Sequence, residues 1–371
     1  MTESRTYDDG PLRDGRWPFV SVILPVYNES AFIERSLGSI LEQDYPADRM
    51  EVLVVDGQST DDTREKVATM SGGPITVRLL DNPRRIIPSA MNVGLREARG
   101  PVILRVDGHS TIAPDYLRTG VLALKKTGAH TVGCGVYNQA VNYVSRGISA
   151  ATGAPFGVGG SLYHYTTEEV ETDAVFMQIY PKWAYEHIGL YNEEMACNED
   201  DELSFRLRKA GGKIVFVPAL DSRYYPRTGI RKLARQFFRY GYWKVRVMQH
   251  HPSQMRISHL IPSLFTAGLI GGVALGPFMP VIGCLWAAMC ALWIAGALHS
   301  TVKGCANDGW DLFPILPLVF LTLHLSYGTG FLIGLIRFAG RWKIGGTPVD
   351  PLPDMDVWES IELASDTETN E

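Results

Sequence analysis

VILRVDGHS (residues 102–110) is an apolar run carrying a single arginine, and it stops abruptly on Asp107, Gly108 and His109. Two other stretches share this form: FVSVILPVYN (19–28), followed by Glu29, and MEVLVVDG (50–57), which ends at Asp56. A fourth, ITVRLLDN (75–82), lies between them and the first. Runs that are apolar on both faces suit strands of a parallel sheet covered on both sides. Helix-period segments separate them. In 30–43, Phe32, Ile33, Ser36, Leu37 and Ile40 share one face; the polar cluster QSTDDT caps the next helix; SAMNVGLREAR (89–99) gives a third. The alternation predicts an α/β fold with a Rossmann-like, mostly parallel sheet whose ligands bind beyond the carboxyl ends of the strands. An isolated Asp before Gly is most often a turn former or a helix cap. Polar residues at three strand ends on one sheet edge weigh against that reading here.

Neither G-x-G-x-x-G nor G-x-x-x-x-G-K-[ST] follows the first strand, so the sequence lacks the backbone cradles those motifs supply for phosphate. A divalent cation on Asp107 and His109 would serve instead, since two ligands one residue apart in a turn can face one ion and leave positions for diphosphate oxygens.

The chain has 371 residues, 46% of them hydrophobic, enough for one large domain with an appendage or for two domains. A net charge of −5 gives no global basic field for nucleic acid. Five cysteines at 134, 197, 284, 290 and 305 form no CxxC pair and read as packing residues of a reducing compartment. Residues 1–18 are polar, mixed in charge and without a secretory signal; they are expected to be flexible, and the domain that follows to stay in the cytosol.

Composition changes near residue 256. Between Arg256 and Lys303 there is no Lys, Arg, Asp or Glu. A helix needs roughly 20 residues to cross hydrocarbon, and Pro277 and Pro280 break the run, so spans are expected at about 260–279 and 280–298, with a third at 312–336, inside a membrane region of 257–343. Three spans would export Arg337, Arg341 and Lys343 against the positive-inside tendency, which leaves the third segment open to a re-entrant or interfacial placement. Residues 229–256 precede the first span. Arg227 to Arg246 holds seven bases and no acid, interleaved with Phe237, Phe238, Tyr240, Tyr242 and Trp243, the pattern of a helix lying at a membrane surface rather than on RNA. The tail, 344–371, carries eight acids from Asp350 onward and no base there, and reads as disordered.

Five ordered motifs over the first 250 residues resemble the family 2 glycosyltransferases: PVYNE (25–29), VVDGQSTDDT (54–63), N-x-G-x-x-x-A-x-G (92–100), VDGH (106–109) at the place of the family's D-x-D, and NEDDELSFRLRKAGG (198–212). With YYPR (224–227) and RQFFRYGYWK (235–244), the set is most similar to the group that includes succinoglycan-type exopolysaccharide glucosyltransferases. The resemblance implies a GT-A catalytic domain over 19–228 followed by C-terminal transmembrane helices. It implies nucleotide contacts at Pro25, Tyr27, Glu29, Asp56, Arg84 and Asn92, with Asp56 accepting from a uracil imide or a ribose hydroxyl. Asp107 would bind Mn²⁺ or Mg²⁺. His109 stands where the family usually has a second Asp, which favours Mn²⁺; direct phosphate contact and a plain turn role stay open for it.

Four consecutive acids, Glu199 to Glu202, open a helical segment ending in RLRKAGG. Helix grammar accounts for acids first and bases last. It does not account for four in a row, whose repulsion requires solvent, a cation or a polar cleft. The resemblance assigns Asp200 as general base, places Glu199 and Asp201 beside it or at the acceptor, and gives Arg227 and Arg239 to the diphosphate. Gln236 and Tyr240, in QFFRY, match the Q-x-x-R-W element of processive relatives with Tyr for Trp. The Gly-rich stretch 153–160 fits a mobile acceptor loop or a linker. The implied activity is membrane-anchored, inverting, metal-dependent transfer from a nucleotide sugar, UDP-linked, to a polyprenyl-linked acceptor, with the catalytic domain on the cytosolic side of the cell membrane and no nucleic-acid partner. A processive synthase and a noncatalytic nucleotide-sugar scaffold are the alternatives.

Overall fold

The computed structural model describes residues 10–159, 167–225, 229–342 and 348–367. In chain order its strands are β1 (Val20–Val26), β2 (Met50–Asp56), β3 (Thr76–Asp81), β4 (Val102–Arg105), β5 (Ser110–Ile112), β6 (Thr131–Cys134), β7 (Val170–Glu171), β8 (Phe176–Pro181), β9 (Ile214–Phe216) and β10 (Ser222–Tyr224). Its α-helices are α1 (Ile33–Leu41), α2 (Thr63–Met70), α3 (Ile87–Glu97), α4 (Tyr116–Thr127), α5 (Tyr143–Thr152), α6 (Pro155–Val158), α7 (Lys182–Ile188), α8 (Glu199–Lys209), α9 (Ile230–His250), α10 (Ile261–Leu275), α11 (Pro280–Asp308), α12 (Leu316–Arg337) and α13 (Val357–Thr367). They form two compact units. One holds residues up to Tyr137, Thr166–Tyr224 and Val349 onward; the other holds Asn138–Tyr165 and Tyr225–Pro348.

The first unit is the expected α/β domain. Its sheet has the order β3-β2-β1-β4-β8-β6-β9-β7. β1, β2, β3 and β4 are parallel; β8 runs antiparallel between β4 and β6. Every residue of β1, β2 and β4 is buried, as their unbroken apolar runs require. β3, which closes one edge, is largely open to solvent, in keeping with Arg78 in its middle. α1 buries Ile33, Ser36, Leu37 and Ile40, the stripe its sequence spacing laid out. The order of strands reverses at β1, which pairs with β2 on one side and β4 on the other, so the crevice of a doubly wound sheet opens where Val26 and Arg105 end. The small β5–β10 sheet brings Tyr224 back beside this edge.

Both chain termini depart from expectation. Leu12 and Trp17 are buried in the core, so residues 10–18 are packed rather than flexible. The tail is also ordered over α13: Val357, Trp358 and Ile361 join the same core, the Trp183 indole donates to Ser360 Oγ at 2.6 Å, and Arg13 pairs with Glu362 at 2.8 Å. An acid count missed this because five residues, Val357, Trp358, Ser360, Ile361 and Ser365, are buried while Glu359 and Asp366 lie on the exposed face.

In the second unit α9 lies along α12 at backbone contact. A Cβ on Gly330 would fall 2.1 Å from the Phe238 carbonyl oxygen, so only glycine permits this approach. Two helices, α11 with 29 residues and α12 with 22, are long and apolar enough to cross a membrane. α10 has 15 residues, about 22 Å of helix, short of the ~30 Å hydrocarbon core, so the first expected span is not a full-length one. Residues 153–159 are not an open loop. α6 occupies their centre, and Phe156 is held there by Phe320, Trp293 and His324, the His324 ring bonding the Phe156 carbonyl at 2.8 Å.

Candidate active site

The carboxyl edge of β1, β2 and β4 gathers the strand-end residues read from the sequence. After β1, Tyr27 is exposed, and Arg85 lies over its ring at 5.9 Å from the centroid. Asn28 adopts a left-handed conformation (φ 53°) and is held by Ser59 and Thr60, its N–H donating to Ser59 Oγ and its Oδ1 accepting from the Thr60 N–H, each at 2.8 Å. Gln58 and Arg85 on the neighbouring loops and Asn198 before α8 also have φ near 60°. Non-glycine residues in this region are uncommon and each costs on the order of 1 kcal/mol or more, and such strain gathers where loops are shaped for a ligand.

At the end of β4, Asp107 and His109 are each held by a neighbour. Arg105 Nε donates to Asp107 Oδ1 at 3.1 Å; Oδ2 has no partner among the described residues. His109 Nδ1 lies 3.3 Å from Glu29 Oε1, and its ring meets Tyr224 edge-on at 5.2 Å. A carboxylate on one ring nitrogen is the usual way a ligating imidazole is oriented, leaving Nε2 for a cation. Among the described residues no three His, Cys, Asp or Glu side chains converge as a metal cage. A two-ligand site completed by diphosphate and water oxygens fits this donor set.

The acids of α8 divide by task. Glu199 points inward, its Oε1 accepting from Arg105 Nη2 at 3.2 Å. Glu202 accepts from Arg206 Nε and Nη2 at 3.1 and 2.9 Å, and Arg206 also donates to the carbonyls of Ile188, Gly189 and Leu190, so this pair latches α8 onto the preceding loop. Asp200 and Asp201 remain half-buried at the helix start, with the Asp201 N–H donating to Asp200 Oδ1 at 2.9 Å. Burial, then the charge of Asp200, pushes the Glu199 carboxyl up to about 7 against the pull of Arg105. Burial, followed by Asp201, raises Asp200 as well. Arg105 stays charged: burial opposes it, but Asp107 and Glu199 hold it well above its usual value.

Several residues have other partners than the sequence implied. Asp56 is fully buried; its oxygens accept from the Ser59 N–H at 3.0 Å, Ser59 Oγ at 2.5 Å and Arg64 Nη1 at 2.8 Å. It shapes the loop that carries Gln58 to Thr60. Asn92 is likewise buried, exchanging bonds with the Tyr191 backbone at 2.9 and 2.8 Å and donating to Glu193 Oε1 at 2.8 Å. It ties α3 to the approach to α8. Arg84 pairs with that same Glu193. Pro25 is buried within β1, beyond the last residue paired with β4. Gln236, Arg239 and Tyr240 lie on α9 in the other unit, where Gln236 Nε2 donates to the Tyr240 hydroxyl at 2.7 Å. Arg227 lies outside the described residues. The residue that sequence reading passed over is Arg105, which joins the two halves of the site; a lone charge in a buried strand was its signal.

Residues 21–186 match the family model described as Glycosyl transferase family 2. Over that stretch the chain resembles a family 2 glycosyl transferase domain. The family match spans the sheet edge through α3, β4 and β8 and ends before α8. Along nearly its full length the chain is similar to the succinoglycan biosynthesis protein ExoA of Rhizobium meliloti (strain 1021), 26% identical over 86% of this chain and 96% of that one. It is also similar to the dolichyl N-acetyl-α-D-glucosaminyl phosphate 3-β-D-2,3-diacetamido-2,3-dideoxy-β-D-glucuronosyltransferase of Methanococcus voltae, 25% identical over 88% of this chain and 99% of that one. Among solved structures it resembles the mannosyltransferase PcManGT of Pyrobaculum calidifontis, crystallised with GDP-Man and Mn²⁺, with a TM-score of 0.56, 21% identity and coverage of 89% and 91% of the two chains. That likeness shows the GT-A-like fold.

Proposed function

We propose that this glycosyltransferase moves a hexose from a UDP-linked donor to a lipid-linked acceptor at a membrane surface, with inversion at the anomeric carbon. The observation that carries the reading is the Arg105 clamp, which holds the VDGH turn and the start of α8 in one place, so a diphosphate site and a candidate base lie beside one another. Tyr27, with Arg85 beside it, offers a stacking platform for the nucleobase. Asp107 Oδ2 and His109 would hold Mn²⁺ or Mg²⁺, which when bound supplies charge neutralisation to the diphosphate. Asp200, its affinity for a proton raised by burial and by Asp201, accepts the acceptor hydroxyl proton as that oxygen bonds to the anomeric carbon. The bond from that carbon to the diphosphate breaks on the opposite face, and nucleoside diphosphate leaves. A lipid-linked acceptor is supported by the name of the Methanococcus relative and by the apolar helices α10 to α12. The catalytic unit faces the cytosol, where nucleotide sugars are available.

The test is nucleoside diphosphate release by the full chain with Mn²⁺, a panel of nucleotide sugars and polyprenyl-phosphate-linked acceptors. Release is expected with a UDP-sugar, Asp200→Asn should slow it roughly 10²–10⁴-fold, and His109→Ala should raise the Mn²⁺ concentration needed for half-maximal rate. Absence of release with every donor, or full activity in Asp200→Asn, would overturn the assignment.

A further inference from the structure

We infer that the α10–α11 hairpin is the element that enters a lipid bilayer, that it turns inside the hydrocarbon, and that α12 does not cross even though its length and composition allow it. The inference rests on the membrane part of the reading above and not on the reaction.

The first ground is connectivity. The helices α9 to α12 lie within Tyr225–Pro348, and the chain on each side of that segment, up to Tyr224 and from Val349, belongs to one compact unit. α13 is built into the core of that unit through Val357, Trp358 and Ile361. A segment that leaves and returns to one folded unit crosses a membrane an even number of times. Three spans are therefore excluded, which removes the conflict over Arg337, Arg341 and Lys343.

The second ground locates the end of α11. Arg146 Nη1 pairs with Asp311 Oδ2 at 2.7 Å, Arg146 Nη2 donates to the Asp308 carbonyl at 2.9 Å, and the Tyr143 hydroxyl donates to the Asp311 carbonyl at 2.8 Å. These residues of α5 follow Tyr137, the last residue of the preceding piece of the catalytic unit, by six positions at Tyr143. Six residues extend at most about 20 Å, less than the ~30 Å hydrocarbon core. The intervening NQAVN is polar as well. The junction of α11 and α12 thus lies on the catalytic side, and α12, starting there and leading to Val349, begins and ends on that side.

The third ground is surface chemistry. Of the 29 residues of α11 only Ala297, Thr301 and Cys305 are buried, whereas α12 buries nine, packed against α9, α10 and α5. Phe278 at the turn is 82% exposed and Leu292 75%, a surface that water would not tolerate over this length. The turn is suited to an apolar medium. Gly276 N–H donates to Gly272, Phe278 and Met279 N–H groups donate to Leu275, and Pro277 and Pro280 have no N–H to satisfy. The α10 leg, 15 residues or about 22 Å, is too short to bring that turn out on the far side.

Single cysteines placed in the full chain, with its five native cysteines replaced by alanine, test this in sealed vesicles of known orientation using a membrane-impermeant maleimide. Lys209→Cys on α8 reports the catalytic side. Asp308→Cys and Asp354→Cys should be labelled from that side only, and Phe278→Cys from neither side until detergent is added. Labelling of Asp308→Cys or Asp354→Cys from the opposite side would overturn the placement of α12, and labelling of Phe278→Cys from the opposite side would overturn the re-entrant turn. Protease access to a C-terminal tag on the otherwise native chain gives a second measurement: cleavage is expected only when the catalytic side faces outward, and the reverse pattern refutes the even crossing.

Discussion

Replacing Arg105 by Met removes a cation that reaches both halves of the site. Its two bonds, 3.1 Å to Asp107 and 3.2 Å to Glu199, come from a side chain only 9% exposed, and Glu199 is similarly buried. Above the Glu199 titration near pH 7, where its carboxyl is ionised, taking away one partner of this buried pair leaves the other uncompensated, at a cost of about 3–5 kcal/mol. For a domain of this size that is a fall in Tm of roughly 10 °C. Adding Glu199→Gln removes the stranded charge, so the double variant should recover most of the lost stability. Activity should separate from stability. Without the guanidinium the VDGH turn loses its bridge to the start of α8, and displacement of a base by about 1 Å is enough to cost on the order of 10²-fold. The assay is thermal unfolding alongside steady-state kinetics for Arg105→Met, Glu199→Gln and the pair, with donor binding measured separately. The double variant should unfold near the wild-type temperature, bind donor within a few-fold, and turn over at least tenfold more slowly. If it recovers full turnover together with stability, Arg105 only neutralises Glu199, and the positioning argument is wrong.

Two further outcomes follow from the same geometry. The folded-state value of about 7 for Glu199 lies above the ordinary carboxyl value of 4.5, so the native state binds a proton more tightly than the unfolded chain. Its contribution is therefore present below pH 4.5 and is lost as pH rises to about 7; the metal-free protein should lose a few kcal/mol across that window, and Glu199→Gln should flatten this part of a Tm-against-pH plot. In α13, Ile361→Ala should cost about 2–5 kcal/mol by denaturant unfolding, because this side chain is wholly buried in the catalytic core; a change under 0.5 kcal/mol would show that α13 is not part of that core.

What could be read in advance and what could not follow from one physical distinction. Strands β1, β2 and β4 announced themselves because burial on both faces leaves an unbroken apolar run, and the helix face Ile33, Ser36, Leu37, Ile40 followed from its period. The strand ends were also legible as an edge. Which polar residue there faces a ligand was not, since a carboxylate or amide that builds a loop has the same one-dimensional context as one that binds. Asp56 saturates itself on Ser59 and Arg64, and Asn92 on the backbone at Tyr191, through partners 3 to 99 residues away in sequence. Asp107 differs by one observable: Oδ2 keeps a lone-pair site without a partner among the described residues, while Oδ1 is fixed by Arg105. The same contrast separates Glu202, spent on Arg206, from Asp200, whose half-buried carboxyl retains capacity for a proton.

Arg105 shows why the unexplained charge deserves more weight than the recurring motif. A guanidinium in a strand flanked on both sides is costly unless carboxylates meet it there. Its presence in VILRVDGHS therefore requires acids at the buried end of β4, and it is met there by Asp107 and by Glu199, 94 residues on, where four acids begin α8. Read in that direction, the sequence contains the juxtaposition of the VDGH turn with α8, which no motif states. Membrane topology follows similar logic. Hydropathy ranks α11 and α12 alike as candidate spans; what distinguishes them is that Arg146, six residues beyond one piece of the catalytic unit plus three along α5, is bonded to Asp311 between the two helices. A short tether ending in an ion pair constrains the chain more tightly than apolar length does.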